Sequence, residues 1–578
     1  MKQKNISIKI DGKLYKAKEG QSILDVARKN KIRITTLCHH PDVKVQASCR
    51  LCLVEIKDKK GLFTSCSTQA SDGMEVTTHS ESISRAKKIN LELIFTEHCE
   101  ECSDCVYRYG CHIKDLAKKY DVKITKFPDR KKGKPVHEFG PALIFDSSKC
   151  IDCGICVDIC EKVGACFLEY EKVGKFHEVM PSKDKYKDCI YCGQCITHCP
   201  VGAFEGVGEF EDIDNPLKLK EEGKTVVFQF APSIRSTIGE EFDMPYGSIV
   251  TGRLTAAIKQ LGIKHVFDVS VGADVTTVEE AKELIERIEK GGTMPMFTSC
   301  CPGWVKYLEF YYPEFIPHLT SVRSPQVIMG GLIKTYWAQE NKIDPKDIVV
   351  VSIMPCVAKK YEIERPEVLM GDIKPVDHVL TTREFAQLLK KHKIDLKNVK
   401  AVTPDPFLGA PTGAGVIYGA SGGVMESALR TAYNKITGKK LPRLDLEEVR
   451  GLEGCKKATI DIDGKPLKVG VVNGAANAKK ILEELKKDPK AYDYVEMMAC
   501  FGGCIGGGGQ PMPVNDEIRK KRAEGLYNVD SRNKIRMAEE SAFVKALYKD
   551  FLKDHDNVHL TCHTSFSKKD KEVYPKNK

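Results

Sequence analysis

The sequence predicts a multidomain protein of mixed α+β and α/β class, and two observations support this. Of the 24 cysteines in the 578-residue chain, seventeen lie before residue 200, mostly in short-spaced groups. After residue 225, apolar runs of strand length alternate with amphipathic helical stretches, the pattern of mostly parallel sheets covered by helices. We therefore expect small cysteine-rich domains followed by one large α/β domain.

Composition restricts the class of protein. An apolar fraction of 42% is ordinary for a folded chain, and the net charge of +10 comes from 90 basic and 80 acidic side chains that are mixed along the whole length. A nucleic-acid binder would concentrate the basic excess on one segment, so we expect no nucleic-acid partner. No apolar run is long enough for a membrane span, and the basic first residues are not followed by the apolar segment of a secretory signal. We therefore expect a cytoplasmic protein without a membrane partner. In that compartment clustered thiols indicate metal rather than disulfides.

Residues 1–80 show the pattern of strand, turn, strand and helix. Ile6, Ile8 and Ile10 alternate with polar residues before a turn at Asp11-Gly12, and Ser22 is placed to cap a helix. The pattern predicts a plant-type ferredoxin domain of β-grasp fold that holds a 2Fe–2S cluster. Its ligands, in the order C-x10-C-x2-C-x13-C, are Cys38, Cys49, Cys52 and Cys66. This spacing is similar to that of the 2Fe–2S module of respiratory complex I. The alternative is a structural zinc site, but zinc sites favour two close pairs of ligands and this motif contains only one.

Residues 81–135 are predicted to hold a 4Fe–4S cluster with one histidine ligand. A helical pattern from Ser82 to Glu97 leads into the order H-x3-C-x2-C-x5-C, whose members are His98, Cys102, Cys105 and Cys111. Replacing one thiolate by a neutral imidazole changes the charge of a cluster and hence its potential. Cys99 could compete with His98 as the ligand. A polar, basic linker is expected from Asp129 to Lys134.

Residues 141–210 contain an internal repeat, C-x2-C-x2-C-x3-C, that occurs twice. The repeat is the signature of two-cluster bacterial ferredoxins, in which the fourth cysteine of each run ligates the other cluster. One 4Fe–4S cluster is therefore assigned Cys150, Cys153, Cys156 and Cys199. The second is assigned Cys189, Cys192, Cys195 and Cys160.

Residues 211–514 form the predicted α/β domain and carry three further cysteine motifs. These are Thr298-Ser-Cys-Cys-Pro-Gly-Trp304, Met354-Pro-Cys-Val-Ala-Lys-Lys-Tyr-Glu362 and Glu496-Met-Met-Ala-Cys-Phe-Gly-Gly-Cys-Ile-Gly-Gly-Gly-Gly-Gln-Pro511. The glycine run 506–509 would permit close backbone approach and unusual dihedral angles. It is not a phosphate loop, because no Gly-Lys-Ser/Thr follows. Residues 515–578 are lysine-rich and helical, and we expect this segment to resemble a small subunit and to pack on the outside.

The three motifs, in this order behind this cysteine array, resemble the FeFe-hydrogenase family, and the resemblance covers essentially the whole chain. It implies reversible reduction of protons to H2 at an H-cluster, a 4Fe–4S cubane bridged to a diiron centre with CO, cyanide and azadithiolate. The implied cubane ligands are Cys301, Cys356, Cys500 and Cys504, with Cys504 as the bridge. The implied contacts of the diiron centre are Pro232, Ser233, Met354, Lys359 and Met498.

The resemblance also implies a proton path. Cys300 would be unligated and would exchange protons with the bridging amine, and the path would continue through Glu280, Thr320, Glu283 and Arg287. Glu280, Glu283 and Arg287 fall on one face of a predicted helix, where a solvated charged surface is the ordinary interpretation. Thr320 departs from the serine of the family but keeps the hydroxyl. Cys99, Cys166, Cys455 and Cys562 remain without an assigned role.

Three other functions are compatible with parts of the pattern. Cytosolic iron–sulfur assembly factors resemble this family but generally lack the intact motifs, and regulatory H2 sensors tend to lose the cysteine at position 300. An electron-wiring subunit would account only for the first 140 residues. The expected electron partner is ferredoxin or a set of NAD(P)H-oxidising flavoprotein and iron–sulfur subunits, and maturation proteins would supply the diiron centre.

Overall fold

A computed structural model gives the fold of the chain. It describes residues 4–98, 105, 107–108, 110–131, 133–173, 176–208, 214–406 and 408–575. Two of the cysteines discussed above, Cys99 and Cys102, lie outside the described residues. Within the described ranges, every helix is too short or too polar to span a bilayer.

The first module is a sheet in the order β2-β1-β5-β3-β4 with one helix packed on it. Ile6, Ile8 and Ile10 point into its core, and Ser22 caps the helix in a reciprocal arrangement with Asp25, as the sequence predicts. The elements are β1 (Asn5–Ile10), β2 (Lys13–Lys18), α1 (Ile23–Lys29), β3 (Leu53–Ile56), β4 (Phe63–Thr64) and β5 (Glu75–Thr77).

The next two modules are short helices and hairpins. Helices α2 (Glu81–Phe95) and α3 (His112–Lys119) are followed by β6 (Val136–Phe139), β7 (Leu143–Asp146), α4 (Ile155–Val163), β8 (Leu168–Val173), β9 (Phe176–Pro181), α5 (Gln194–His198) and β10 (Phe204–Gly206). Gly154 and Gly193 precede α4 and α5 with φ of 77° and 68°. Because each follows the second cysteine of its run, the internal repeat of the sequence is also a repeat of local structure.

Two mostly parallel sheets form the large domain. Their orders are β12-β11-β14-β15 and β13-β18-β17-β16, and only β16 and β17 pair antiparallel. The elements are α6 (Asn215–Glu221), β11 (Thr225–Phe230), α7 (Thr251–Gln260), β12 (His265–Asp268), α8 (Val269–Lys290), β13 (Met296–Phe297), α9 (Pro302–Tyr311), α10 (Pro325–Leu332), α11 (Ala338–Asn341), β14 (Ile348–Met354), α12 (Ala358–Ile363), β15 (His378–Thr381), α13 (Thr382–Lys391), α14 (Gly413–Ile417), α15 (Gly423–Thr437), β16 (Cys455–Ile462), β17 (Lys465–Asn473), α16 (Ala475–Lys487) and β18 (Tyr494–Met498).

The C-terminal segment is helical, as expected, but it is less peripheral than its composition suggests. It contains α17 (Asp516–Arg532), α18 (Ala542–Asp550) and α19 (His555–Cys562). Arg519 and Arg522 of α17 are fully buried, where they pair with Asp42 of the first module and with Glu240. Buried carboxylates allow these arginines to face inward, so α17 joins the two ends of the chain instead of covering the surface.

Candidate active site

The three cysteine motifs of the large domain each follow the carboxyl end of a parallel strand. Cys300 and Cys301 come after β13, Cys356 after β14 and Cys500 after β18. Because β13 and β18 are neighbours in one parallel sheet, the first and third motifs share its carboxyl edge, where ligands of open α/β sheets bind. Strand β14 belongs to the other sheet, so the packing of the two sheets is what brings Cys356 close to Cys301.

The four cysteines assigned to the cubane are close enough to influence one another. Burial raises the pKa of Cys356 to about 12, and the charge of Cys301 adds to the rise. Burial likewise raises the pKa of Cys500 well above its ordinary value, with further contributions from Cys301, Cys356 and Cys504. A buried set of four mutually repelling thiolates is stabilised when it ligates a cation, so these donors fit an iron–sulfur cubane.

A cavity with an empty volume of about 470 Å³ lies beside these cysteines. All of the residues predicted to surround the diiron centre line it, together with Cys300 and Cys504. They are Pro232, Ser233, Met354, Lys359 and Met498. Gln326 also lines the cavity, and its Oε1 is a buried oxygen that has no hydrogen-bond partner among the described residues. The wall is otherwise mostly apolar, which suits a site that excludes water.

Lys359 is the cation of the cavity wall. Its Nζ donates to the carbonyl oxygen of Cys300 at 3.0 Å and to Oε2 of Glu362 at 2.9 Å. Burial alone would lower the pKa of Lys359, but the charges of Glu362 and Cys356 outweigh burial and raise it. The side chain is therefore a fixed ammonium group that can bind an anionic ligand in the cavity.

The predicted proton path is brought together along α8. Burial raises the pKa of Glu280 to about 8, although a hydrogen bond from Tyr494 at 3.1 Å opposes the rise. One turn further on, Glu283 accepts hydrogen bonds from Thr320 at 2.7 Å and from Arg287 at 2.6 Å. Glu280 is thus buried, and Glu283 and Arg287 are half-buried and joined by an ion pair, so these charged residues do not form a solvated face.

Cys300 stands at the inner end of this path. Burial raises the pKa of its thiol well above the ordinary value, and the nearby charge of Glu280 contributes to the rise. Cys300 also lines the cavity, so its thiol is close to both the cavity and Glu280.

Comparisons with known proteins assign the chain to a family. The model of the iron-only hydrogenase large subunit, C-terminal domain, matches residues 224–508. NADP-reducing hydrogenase subunit HndD of Solidesulfovibrio fructosivorans is 37% identical over 98% of this chain and 99% of its own length. The chain belongs to the iron-only hydrogenases.

Further relatives of this hydrogenase extend the match. Iron hydrogenase 1 of Clostridium pasteurianum is 37% identical over 94% of this chain and 96% of its own length. A solved structure of the [FeFe]-hydrogenase HydA1 from Chlamydomonas reinhardtii is 36% identical, with a TM-score of 0.56, and the alignment covers 62% of this chain and 98% of that one. Three other family models match: a 2Fe-2S iron-sulfur cluster binding domain at 3–81, a 4Fe-4S dicluster domain at 149–203 and the iron hydrogenase small subunit at 516–569.

The chain is therefore an oxidoreductase of the hydrogenase class, with domains for 2Fe–2S and 4Fe–4S clusters ahead of the catalytic domain. In the first of these domains, Sγ of Cys52 lies 3.3 Å from Sγ of Cys66, and Sγ of Cys38 accepts from the backbone N–H of Cys49 at 3.3 Å. The predicted 2Fe–2S ligands are thus gathered into two adjacent, buried pairs.

In the dicluster domain of the hydrogenase, the two cysteine runs lie close to each other. Burial raises the pKa of Cys189, and the charge of Cys160 from the other run adds to the rise. Burial raises the pKa of Cys150 in the same way, with a contribution from Cys199. In each case the fourth cysteine of one run lies beside the first cysteine of the other.

His98 is buried at the end of α2, and its Nδ1 lies 2.7 Å from the carbonyl oxygen of Lys149. A carbonyl accepts only a protonated nitrogen, so Nδ1 carries the hydrogen and Nε2 keeps the lone pair that a metal needs. Cys105 is buried and Cys111 caps α3, whereas Cys102 is outside the described residues.

The glycine run of the third motif permits the close backbone approach that the sequence predicts, but not the unusual dihedral angles. The left-handed angles occur earlier, at Gly502 and Gly503, with φ of 75° and 81°. Within the run, a Cβ on Gly507 would lie 2.4 Å from the carbonyl oxygen of Pro355, and one on Gly508 would lie 2.5 Å from that of Cys192. The run therefore allows the catalytic loop to contact the backbone of two other cysteine motifs.

Sequence reasoning missed several polar residues of the site. Tyr418 lines the cavity, and its hydroxyl lies 2.8 Å from that of Thr277 on α8. Ser321 donates to the same carboxylate oxygen of Glu283 as Thr320 does. The only available signal was the glycine-rich stretch around Tyr418, since single hydroxyl residues carry no spacing pattern.

Three of the cysteines without an assigned role lie away from the motifs: Cys166 after α4, Cys455 in β16 and Cys562 in α19.

Proposed function

We propose that this hydrogenase reversibly reduces protons to H2 at an H-cluster held by Cys301, Cys356, Cys500 and Cys504, with Cys504 as the bridging ligand. The observation that carries the proposal is a cavity lined by Cys504, the unligated Cys300 and the ammonium group of Lys359, with Cys301, Cys356 and Cys500 close to Cys504. When bound, the cluster supplies the electrons and the iron site at which hydrogen is formed or split.

The side chains of the cavity hold and shield that centre. Lys359 offers N–H donors to an anionic ligand such as cyanide, because Glu362 keeps it charged and fixed. Pro232 and Ser233 follow β11 and approach the cavity from the opposite side, where the Ser233 hydroxyl accepts from Gln510 at 3.3 Å. Met354 and Met498 contribute apolar, polarisable surface.

Protons move along the row Cys300, Glu280, Thr320 and Glu283, with Arg287 at its outer end. For hydrogen evolution, the Cys300 thiol gives its proton to the active site and takes another from Glu280, whose pKa of about 8 keeps it largely protonated at pH 7. Thr320 and Glu283 then reload Glu280 from the surface. Arg287 orders Glu283 by donating two N–H groups to one oxygen, at 3.0 and 2.6 Å.

Electrons reach the site through the accessory clusters. We assign one 2Fe–2S cluster, one His98-ligated 4Fe–4S cluster with Cys102, Cys105 and Cys111, and two further 4Fe–4S clusters in the crossed arrangement. Sγ of Cys500 lies 3.7 Å from the carbonyl oxygen of Cys192, a residue assigned to the last accessory cluster. That contact supports the dicluster domain as the electron donor to the active site.

The finer organisation follows from the same assignments. The modules are the β-grasp domain 1–80, the His98-ligated 4Fe–4S module 81–135, the two-cluster ferredoxin module 141–210, the H-cluster domain 211–514 and the small-subunit-like segment 515–578.

The electron partner is ferredoxin or an NAD(P)H-oxidising assembly, and the relative named as a subunit of an NADP-reducing hydrogenase favours the second. Maturation proteins are required to supply the diiron centre.

The test is a correlation between cofactor and activity. Protein expressed with the hydrogenase maturation proteins should show infrared bands of bound CO and cyanide and should evolve H2 from a strong artificial reductant. Protein expressed without them should carry the accessory clusters alone and evolve none. A preparation with the full set of bands that neither evolved nor oxidised H2 would refute the function.

A further inference from the structure

Arg287, at the outer end of the proton path, cannot exchange protons with water at neutral pH. Its guanidinium donates to Oε1 of Glu283 and to the carbonyl oxygens of His318 and Leu319. An arginine side chain is not deprotonated in proteins. Arg287 therefore fixes the Glu283 carboxylate in place, and a residue other than Arg287 has to donate protons to this carboxylate.

The second oxygen of Glu283 leads to such a group. Oε2 accepts hydrogen bonds from the backbone N–H and the hydroxyl of Ser321, both at 3.0 Å. The same hydroxyl lies 2.9 Å from Nδ1 of His563, which follows α19 at the C-terminal end of the chain. The His563 side chain is 20% exposed, so an imidazole in contact with solvent is one hydroxyl away from the relay carboxylate.

A buried carboxylate lies beside the other nitrogen of this imidazole. Nε2 of His563 lies 3.3 Å from Oε2 of Glu279, and Oε1 of Glu279 accepts from the Tyr548 hydroxyl at 2.6 Å. Burial would raise the pKa of Glu279, but these two hydrogen bonds and the charge of Lys282 lower it below its ordinary value. The ring therefore lies between the Ser321 hydroxyl and the anionic carboxylate of Glu279.

The other charged groups near His563 are few and lie on identifiable elements. From α8 come Glu283, Arg287 and Lys282, whose Nζ is 3.7 Å from Glu279. Arg323 donates to the backbone carbonyl oxygen of His563, and the ring of His559 lies 6.3 Å from that of His563 on the preceding turn. Only Glu279 faces a ring nitrogen directly among these groups in the described part of the chain.

We propose that His563 is the proton port of this hydrogenase and exchanges protons between bulk water and Glu283 through the Ser321 hydroxyl. During hydrogen evolution the imidazolium passes its Nδ1 proton to Oγ of Ser321, which releases its own hydroxyl proton to Oε2 of Glu283. The neutral ring then regains a proton from water or buffer. One proton enters at the ring and one leaves at the carboxylate, and only O–H and N–H bonds change. The port rests on the proposed relay and gives the small-subunit-like segment a part in proton transfer.

The test compares two histidines at the end of the chain. His563→Gln removes the exchangeable group, whereas His559→Gln changes an exposed neighbour that has no contact with Ser321. We expect His563→Gln to keep the CO and cyanide bands but to lose H2 evolution by about a hundredfold, the lower end of the range for a positioned acid–base group. Imidazole added to the buffer should restore turnover in His563→Gln and leave the His559→Gln variant unaffected.

A second pair tests the connecting hydroxyl without altering the histidine. Ser321→Ala removes the hydroxyl and should lose turnover without responding to imidazole, whereas Ser321→Thr keeps the hydroxyl and should turn over faster than Ser321→Ala. The port is overturned if His563→Gln turns over as fast as His559→Gln, or if imidazole restores nothing while the bands are intact. Wild-type protein that showed the bands but no hydrogen chemistry would instead refute the proposed function itself.

Discussion

At the scale of single residues, Cys300 and Cys301 are adjacent in the chain but are assigned opposite roles. Sγ of Cys301 accepts from the backbone N–H of Ala499, within the motif that supplies the other cubane ligands. Cys300 lines the cavity instead, close to Glu280. The extended backbone of Cys301, with φ of −99° and ψ of 103°, directs the two side chains to different faces.

Substitution separates these roles. Cys301→Ala should prevent assembly of the H-cluster, whereas Cys300→Ala should leave its infrared bands intact and abolish turnover in both directions. Cys300→Asp should keep partial activity, since a carboxyl group also carries a proton, although its reference pKa of about 3.9 matches neutral pH less well. Hydrogen evolution with an artificial reductant is the measurement, and wild-type turnover in Cys300→Ala would remove the relay assignment.

The Tyr494 hydroxyl tunes the next member of the path. Its hydrogen bond favours the ionised form of Glu280 and partly offsets the rise in the pKa of Glu280 that burial causes. In Tyr494→Phe we therefore expect the pKa of Glu280 to rise above about 8, so that the carboxyl stays protonated to higher pH. The alkaline limb of the pH–rate profile should move to higher pH. A shift in the opposite direction would show that Glu280 does not set this limb.

At the scale of secondary structure, the periodicity of apolar residues predicted those elements whose pattern is complete within a short stretch of sequence. The strands at 225–230 and 348–354 and the capped helix after Ser22 occur as expected. Helix α8 is the helix predicted to carry Glu280, Glu283 and Arg287. Its start at Val269 is not visible in the sequence, because its first half is buried and lacks the polar face that reveals an amphipathic helix. Ligand sets within a short motif can be proposed from the sequence because their spacing is local.

The end of α2 provides a test of the histidine ligand. His98→Ala should remove one accessory cluster, about four iron atoms, because the protein would lose one of its four ligands. Electron transfer should slow while the CO and cyanide bands persist. Cys99→Ser is the matched control and should change neither iron content nor rate. If the control loses the iron and His98→Ala keeps it, Cys99 is the ligand.

At the scale of the whole molecule, contacts between distant segments position the electron path and could not be predicted from the sequence. Asp42, next to the 2Fe–2S ligands, pairs with Arg519 near the C-terminus at 2.5 Å and lies 3.3 Å from His198 in the dicluster domain. Burial favours protonation of Asp42, but His198 and Arg519 outweigh it and hold its pKa well below its usual range. Ser321 and His563, separated by 242 residues, are a similar case. Single polar residues have no periodicity or spacing, so only the tertiary fold reveals their association.

The total iron content tests the whole assembly. One 2Fe–2S cluster, three accessory 4Fe–4S clusters and six irons in the H-cluster predict about twenty iron atoms per chain. Protein matured without a diiron centre should contain about eighteen, and His98→Ala about sixteen, by the same stoichiometry. The differences matter more than the total, because each variant removes one defined centre from the same fold. Fully active wild-type protein with only about fourteen irons would mean that two accessory clusters had been assigned in excess, and electrons would then have to enter the H-cluster domain by a shorter route.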